Sequence, residues 1–173
     1  MEITQELVKR LFDYRDGELY WKERPVEDFL SQHDANQWNS KHFQTKAGCY
    51  GKKLYAYTTI KNKHIAIHRI IFLLHNGYLP KMIDHIDGNP RNNKIENLRS
   101  ASSLQNQQNQ KLPSHNTSGF KGVIWNKRLK KWMVRIKINK AQTYFGVYED
   151  IELADLVAQE ARNKYHGEFA RHF

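Results

Sequence analysis

Residues 83–106, IDHIDGNPRNNKIENLRSASSLQN, decide the fold of the surrounding chain. The first residues of this stretch belong to a short strand that is predicted over 81–86. The run DGNPRNNK at 87–94 is typical of a loop, because Gly, Pro, Asn and Asp favour turns. Residues 98–100 predict a second short strand, and a serine at 102 or 103 can cap a polar helix that extends to about residue 110.

Two adjacent side chains in this stretch indicate a possible active site. Asp84 supplies a carboxylate and His85 an imidazole, and neighbours on a strand point to opposite faces. A calcium-binding EF-hand is excluded, because placing Gly88 sixth puts Ile83 at the first ligand position. A zinc protease is excluded by the lack of an HExxH pair. A lone histidine in a polar turn is more often structural, so these two residues alone leave the function open.

The longer pattern resembles the ββα-metal motif of HNH endonucleases of the phage and intron-encoded homing type. The residues that carry the resemblance are Asp84-His85-Ile86-Asp87-Gly88-Asn89, Asn92-Asn93, Glu96-Asn97-Leu98 and Asn106. The segments Ala66-Ile67-His68-Arg69 and Leu19-Tyr20-Trp21-Lys22 also resemble the flanking region of that family. The resemblance implies a nuclease that hydrolyses phosphodiester bonds in DNA.

The resemblance also implies a role for four motif residues. His85 would be the general base that deprotonates the attacking water, which suits a neutral imidazole with a pKa of about 6.5. Asp84 and the side-chain oxygen of Asn106 would bind one divalent metal ion, Mg²⁺ or Mn²⁺, because both are hard oxygen donors. Asn97 would hold the loop and orient His85.

Other polar residues near the motif have less defined roles. His85 is expected to face a hydrated cleft. His68 could contact phosphate near the site, or only begin a helix that is predicted over 68–76. Four loop residues are expected to satisfy backbone groups rather than to bind metal: Asp87, Asn89, Asn92 and Asn93.

The C-terminal segment predicts a second small domain. Runs at 120–125, 132–138 and 143–147 are rich in β-forming residues, and Asp150 can cap a helix that follows them. Apolar residues of the second run alternate with Met133, Arg135 and Lys137, so one face of the strand packs on the helix and the other is exposed and basic. The helix is expected to contact the sheet through one face: Leu153, Leu156, Val157, Ala161 and Tyr165.

Ser118–Ala170 resembles the DNA-binding domain of plant ethylene-response factors (APETALA type). The residues that carry this resemblance are Phe120-Lys121-Gly122-Val123, Lys131-Trp132, Arg135-Ile136-Lys137, Tyr144-Phe145-Gly146, Glu152, Ala154 and Ala161. In that family the sheet reads the major groove, which implies that aligned positions contact DNA here: Lys121, Ile124, Asn126, Arg128, Arg135, Lys137, Gln142 and Tyr144. Ile124 is apolar where the plant domains carry arginine, and Arg135 is basic where they often carry an acid. The base preference of that family therefore does not transfer.

The distribution of charge favours a polyanionic partner. The net charge is +10 over 173 residues, and residues 116–148 carry eight basic side chains and no acidic one. A solvated basic surface has the same composition, so charge alone does not decide the function. One cysteine excludes an internal disulfide framework and a Cys-rich zinc site. No apolar stretch approaches the roughly 18 residues that a membrane span requires.

These features predict an α+β protein. An N-terminal ββα-metal (HNH) nuclease domain is expected at 1–110, a linker at 111–117, and a three-stranded antiparallel sheet packed on one helix at 118–173; residues 25–48 are expected to be irregular. The predicted function is a metal-dependent endonuclease on double-stranded DNA, acting as a monomer with no membrane and no obligatory protein partner. We expect it in the cytoplasm, that of a bacterial host if a phage carries the gene.

Two alternatives to this prediction are weaker. A non-catalytic DNA-binding regulatory protein could be built from the same parts, but it would have no need of Asp84, His85, Asn97 and Asn106 together. An RNA-binding protein is disfavoured, because the aromatic pattern that stacks single-stranded bases is missing from the sequence.

Overall fold

The computed structural model describes residues 3–50 and 54–172. The chain divides into two compact units, Met1–Ser100 and Ala101–Phe173. Both units mix helices with small antiparallel sheets, as the predicted α+β class requires. The division lies ahead of the predicted linker at 111–117. Within the described ranges, no helix has both the length and the apolar character needed to cross a bilayer.

The first unit is a series of short elements. In chain order they are α1 (Gln5–Leu11), β1 (Phe12–Arg15), β2 (Glu18–Trp21), α2 (Gln32–His42), β3 (Cys49–Tyr50), β4 (Ala56–Ile60), β5 (Lys63–Ala66), α3 (Ile67–Asn76), β6 (Ile83–His85) and β7 (Leu98–Ser100). Short 3₁₀ turns lie at Val26–Asp28 and Ile95–Asn97. β1 pairs with β2, β4 pairs with both β3 and β5, and β6 pairs with β7, all antiparallel.

The hydrophobic core of the first unit forms around α3. This helix buries a broad apolar face: Ile67, Ile70, Ile71, Phe72 and Leu73. Val8 of α1 and Leu19 of β2 pack in the same cluster. The helix ends at Gly77, whose φ of 76° is a left-handed conformation that glycine adopts without steric cost. The predicted apolar helix is confirmed, and its first turn carries His68 into the interior.

The expectation of an irregular segment over 25–48 is wrong, because α2 lies within it. Ser31 caps this helix by accepting a hydrogen bond from the Asp34 N–H at 3.1 Å. Ala35 is the residue of α2 that is buried. A helix this polar has no apolar stripe, which is the signal that sequence periodicity requires.

The stretch at 83–106 forms the predicted elements in the predicted order. β6 and β7 pair so that Asp84 lies opposite Arg99, and β6 is buried along its whole length. The helix α4 (Ser103–Gln108) follows β7 in the chain. Ser102 and Gln105 form a capping box at its N-terminus, as the serine signal predicts.

The second unit contains a three-stranded antiparallel sheet and a long helix. After α4 come β8 (Val123–Asn126), β9 (Lys131–Ile138), β10 (Ala141–Tyr148) and α5 (Ile151–His166), and β9 is the central strand. α5 packs on one face of the sheet, against Val123, Val134 and Ile136. The expected packing of one helix on this sheet is therefore observed.

The face of α5 that contacts the sheet agrees with the predicted one in part. Ala161 and Val157 pack on the sheet as predicted, together with Ala154 and Ala158. Leu153, Leu156 and Tyr165 are 48%, 59% and 46% exposed. Alanines let the helix backbone approach the sheet closely, and the branched side chains of the strands fill the space. Weighing large apolar residues above alanine led to the wrong assignment of Leu153, Leu156 and Tyr165.

Candidate functional site

His85, the predicted general base, is the last residue of β6 and is only 5% exposed. The expected hydrated cleft is therefore wrong. The ring Nε2 lies 3.0 Å from Oδ1 of Asn93, which is also buried. An amide oxygen only accepts hydrogen bonds, so Nε2 carries the hydrogen. The lone pair of the neutral ring is consequently on Nδ1.

Two further rings pack against His85. The ring centroids of His68 and His85 are 5.2 Å apart, and Tyr55 lies 4.9 Å from His68 and 6.0 Å from His85. Burial, together with repulsion from His85 and Arg69, lowers the pKa of His68 to about 3. His68 is therefore neutral at neutral pH, so a proton taken by His85 does not create two adjacent cations.

Asp84, a predicted metal ligand, is 4% exposed. Arg99, directly opposite on β7, donates to its Oδ2 from both Nε and Nη2, each at 2.9 Å. Burial of a carboxylate is costly unless the charge is paired or binds a metal ion. The arginine therefore offsets this cost and fixes the orientation of the carboxylate.

Asn97 holds the loop between β6 and β7 together. Its Oδ1 accepts from the Asp87 N–H at 3.0 Å, and its Nδ2 donates to Asp87 Oδ1 at 2.9 Å and to the Asn92 carbonyl at 2.7 Å. Asp87 also accepts from the Asn89 N–H and from Nδ2 of Asn92, both at 2.7 Å. Burial acts to raise the pKa of Asp87, but these hydrogen bonds outweigh it and hold the pKa below its usual value.

The sequence reasoning missed two contributors to the surroundings of His85 and left the role of a third open. Asn93 was expected to satisfy loop backbone, whereas its side chain contacts the ring of His85. His68, for which a phosphate contact or a helix start was considered, lies in the first turn of α3 and packs on His85. Tyr55 lies outside the motif, and no sequence pattern marks it.

A cleft of about 310 Å³ lies beside the loop in the first unit. Its basic side chains, Lys46, Arg91 and Lys94, are partly neutralised by acids on the same wall. Lys94 pairs with Asp16 at 2.8 Å, and Lys46 pairs with Glu18. The balance of charge means that this cleft by itself does not favour a polyanion.

Asn106, the second predicted metal ligand, lies on α4 and belongs to the second unit. Among the residues that the structure describes, no three or more His, Cys, Asp or Glu side chains are grouped to hold a metal ion. Mg²⁺ is commonly held by one or two carboxylates while substrate phosphates and waters complete its shell. One carboxylate and one amide, both hard oxygen donors, therefore fit such an ion.

Four of the predicted DNA-binding residues form two cross-strand pairs. Tyr144 lies opposite Arg135, and Gln142 lies opposite Lys137. Residues two apart on a strand share a face with each other and with their cross-strand partners, so all four lie on one face. All four are exposed, on the face away from α5.

Of the other four predicted DNA-binding residues, Ile124 is exposed on β8, and the three polar ones have different surroundings. Arg128 is exposed in the turn between β8 and β9. Asn126 Oδ1 accepts from two backbone N–H groups of that turn, at 3.1 and 3.0 Å. Lys121 is half-buried, and its Nζ donates to the carbonyl oxygens of Gln108 and Gln110 at 2.8 and 2.6 Å. Its ammonium therefore lies at the end of α4 and not on the exposed sheet face.

Comparison with known proteins assigns a family to the central part of this chain. The HNH endonuclease family matches residues 66–108. The match lies within the nuclease domain predicted at 1–110, and the predicted N-terminal flanking region before residue 66 is outside it. The chain is also 40% identical over 98 residues to "Protein 3.8" of Escherichia phage T7, an alignment that covers 56% of this chain and 80% of that protein. No solved structure matches.

Proposed function

We propose that this chain, which belongs to the same protein family as Protein 3.8 of phage T7 and carries an HNH endonuclease domain, is a metal-dependent DNA endonuclease. The reaction would be hydrolysis of phosphodiester bonds in double-stranded DNA, in the manner of homing endonucleases. The observation that carries the proposal is the buried hydrogen bond between His85 and Asn93. It holds an imidazole in one tautomer, as a general base requires.

His85 would take the proton of the attacking water. Its Nε2–H is held by Asn93, so Nδ1 is the basic nitrogen. His68 and Tyr55 restrict the position of the ring from its sides. When the ring becomes cationic, the hydrogen bond to Asn93 strengthens, because hydrogen bonds to charged groups contribute about 1.5–3 kcal/mol. Asn97 would act indirectly, by holding the loop that carries Asn93.

Asp84 and Asn106 are the proposed ligands of one divalent ion, Mg²⁺ or Mn²⁺. When bound, such an ion would stabilise negative charge on the phosphate and on the leaving oxygen. Arg99 holds Asp84 through Oδ2 and keeps the carboxylate in one orientation. The assignment of Asn106 depends on its place in the family motif.

Recognition of DNA is assigned to the C-terminal sheet, in the manner of the ethylene-response-factor domain that it resembles. The family match ends at residue 108, before this sheet begins. The paired and exposed residues Arg135, Tyr144, Lys137 and Gln142 support the assignment. Arg128 and Asn126 lie in or beside the turn at one end of β9, where they would contact the backbone of the duplex.

The remaining features of the proposal follow from the sequence. The nuclease would occupy residues 1–110 and the recognition domain 118–173, joined by 111–117. The protein would act as a monomer without an obligatory protein partner, and it would work in the cytoplasm of a bacterial host, as a phage-encoded relative suggests.

A DNA-binding regulator without catalysis is the alternative function. The exposed basic sheet face would serve a regulator equally well. A regulator would gain nothing from burying a histidine, an asparagine and an arginine–aspartate pair around one loop, because unmatched polar groups in that position are costly. The buried network therefore favours the nuclease.

Incubation of the purified chain with double-stranded DNA tests the function. Supercoiled plasmid and a genomic library would be treated with Mg²⁺, Mn²⁺ or excess chelator, and cut ends would be mapped on both strands. The proposal predicts metal-dependent nicks or breaks that recur at preferred positions. Binding without any cut under all these conditions would favour the regulator, and full activity in chelator would exclude the metal.

A further inference from the structure

A small cavity within the second unit has basic residues in its lining. Its volume is about 130 Å³, and its walls come from α4, β9, α5 and the residues just before β8. The lining includes Lys121, Arg162 and His166, together with Arg135 and Lys137, whose side chains lie on the exposed sheet face. Among the described residues, no acidic side chain lines it. A concave site lined by one sign of charge concentrates ions of the opposite sign.

Arg162 is the most buried of these groups, with 1% of its surface exposed. Its Nη1 donates to the Lys121 carbonyl, and its Nε lies 3.2 Å from Nδ1 of His172. Its Nη2 has no hydrogen-bond partner among the described residues. Asp155 forms an ion pair with this atom through Oδ1 at 3.7 Å, which is beyond hydrogen-bond distance, while Gln159 donates to Oδ2 of the same carboxylate. A buried guanidinium thus retains donor capacity that the protein does not use.

His166 presents a second unsatisfied atom at the same cavity. Its Nε2 lies 3.0 Å from the Lys137 carbonyl, so Nε2 carries the hydrogen. Nδ1 is buried and has no hydrogen-bond partner in the described part of the chain. This atom can accept from a phosphate O–H or, in the protonated ring, donate to a phosphate oxygen.

Lys121 adds an electrostatic argument. Burial, together with repulsion from Arg162 and Arg171, lowers the pKa of Lys121 to about 8. Its Nζ contacts only carbonyl oxygens, those of Gln108 and Gln110, which do not neutralise its charge. The charges of Lys121 and Arg162 thus repel each other, and Asp155 offsets part of this cost by pairing with Arg162. An anion would remove that cost.

We propose that this cavity is a binding site for a single phosphate group. The cationic lining without acids selects an oxyanion, and the unsatisfied Nη2 of Arg162 and Nδ1 of His166 supply polar contacts. The volume is large enough for a small tetrahedral oxyanion. The phosphate could be a backbone phosphodiester of DNA or free phosphate; the DNA source rests on the proposed function.

Inorganic phosphate is the probe for the first arm of the test. The full chain, without metal, would be titrated with phosphate at constant ionic strength while amide and imidazole resonances are recorded by NMR. We expect saturable shifts at Gly122 and His166. Lys121→Gln and His166→Phe should weaken phosphate binding by about tenfold or more, since each removes a contact to a charged ligand. Lys164→Gln, an exposed charge on the same helix, should leave it unchanged.

DNA binding in chelator is the second arm and separates the two sources. If a backbone phosphate occupies the cavity, inorganic phosphate competes with DNA, and Lys121→Gln reduces the salt slope of DNA affinity by about one unit. If Lys121→Gln loses phosphate binding while its DNA affinity and slope match wild type, the ligand is free phosphate. Either result supports a phosphate site.

Three results would overturn the site. They are no saturable effect of phosphate on wild type, shifts that map away from the cavity, and equal weakening by Lys164→Gln and Lys121→Gln. The wild-type titration keeps the proposal testable even if a variant fails to fold. Because neither arm uses cleavage, a chain that binds phosphate here but never cuts DNA would refute the nuclease alone. A chain that cuts DNA but shows no phosphate effect would refute this site alone.

Discussion

The loop region between β6 and β7 and the exposed face of the C-terminal sheet both carry polar side chains, but under opposite conditions. Asp84, His85 and Asn93 are 4%, 5% and 5% exposed, and each contacts another side chain. On the sheet, Arg135 and Lys137 project into solvent. Buried polar groups are costly without partners, so they persist only in one well-defined arrangement. Exposed polar groups remain hydrated, so they carry no such cost and can adapt their conformation to a bound partner.

This contrast determines how each region should respond to substitution. Residues of one buried network are coupled, so a single change disturbs its neighbours and effects do not add. Exposed residues on a sheet act more independently, and their effects are smaller and closer to additive. The loop region has the properties of a preorganised chemical site, and the sheet has those of a recognition surface.

The largest effect is expected at His85. His85→Gln keeps a side chain of similar length that can still donate to Asn93, but it removes the base. We expect single-turnover cleavage to fall about 10²–10⁴-fold, the usual contribution of a positioned general base, with DNA affinity unchanged. Replacement of the exposed His33 on α2 by Gln is the control and should have no effect. Wild-type cleavage by His85→Gln would remove this residue from the mechanism.

The buried His68 should make the stability of the first unit sensitive to acid. Its pKa is about 3 in the fold and 6.5 when unfolded, so between these values the unfolded chain binds more protons and stability falls as the pH falls. His68→Phe removes this titration and keeps an aromatic ring beside His85. Each pKa unit is about 1.4 kcal/mol, so wild type should lose about 2 kcal/mol relative to the variant between pH 7 and pH 4.5.

Chemical denaturation at several pH values measures that difference. Asp and Glu residues are present in both proteins, so their contributions to the pH dependence of stability cancel in the comparison. His85 and Arg69, the neighbours of His68, are also present in both proteins. His64→Phe, at an exposed histidine on β5, should run parallel to wild type. Parallel curves for His68→Phe as well would show that His68 titrates normally.

Asn93 provides the sharpest test of the buried network. Asn93→Leu removes the acceptor for Nε2 of His85, and we expect cleavage to fall about 10–100-fold, because a hydrogen bond to a charged group contributes about 1.5–3 kcal/mol. Asn92→Ala, which loses its contacts to Asp87 and to the Lys94 N–H, should cost less. Combined with His85→Gln, Asn93→Leu should have no further effect. Additive losses in the double variant would mean that Asn93 acts by another route.

The order of elements around the site was predictable from local signals, but its contacts were not. The loop residues at 87–94 and the capping serine act over a few positions, so their structures follow from composition. The contact between His85 and Asn93 depends on how a long loop folds back on a strand. The packing of His68 depends on where α3 lies in the core. Neither arrangement leaves a periodic pattern in the sequence.

The C-terminal unit shows the same division between local pattern and packing. Alternation in β9 correctly assigned Val134 and Ile136 to one face and Arg135 to the other, because a strand has a fixed period of two. The helix face was misassigned at Leu153, Leu156 and Tyr165, because close packing selected alanines over larger side chains. Lys121 was assigned to the sheet face, but its Nζ reaches backbone carbonyls near the end of α4. That contact joins parts of the chain that no short motif connects.

Arg135 should govern base preference more than overall affinity. An arginine in the major groove can contact one guanine with two hydrogen bonds, which contribute about 1–3 kcal/mol of discrimination. We expect Arg135→Ala to relax preference at one or two base pairs while cleavage chemistry is retained. Selection from a randomised duplex library would reveal this, with Lys127→Ala in the β8–β9 turn as the control. An unchanged preference would indicate that the sheet face does not read bases.

The smallest effect is expected at Lys137, which should contact phosphate and weaken binding to all sequences alike. Lys137→Ala should lower the salt slope of DNA affinity by about one unit without altering preference. The Lys137 side chain lies on the exposed sheet face and the Lys121 ammonium lies near the end of α4, so a double variant tests whether both lysines contact the same phosphate. If they do, Lys137→Ala combined with Lys121→Gln should lower the slope by about one unit in total. If Lys137, on the sheet face, contacts a different phosphate from Lys121, the double variant should lower the slope by about two units. Unchanged slope and affinity in Lys137→Ala would show that this lysine is only solvated, and the recognition surface would then have to be sought elsewhere on the second unit.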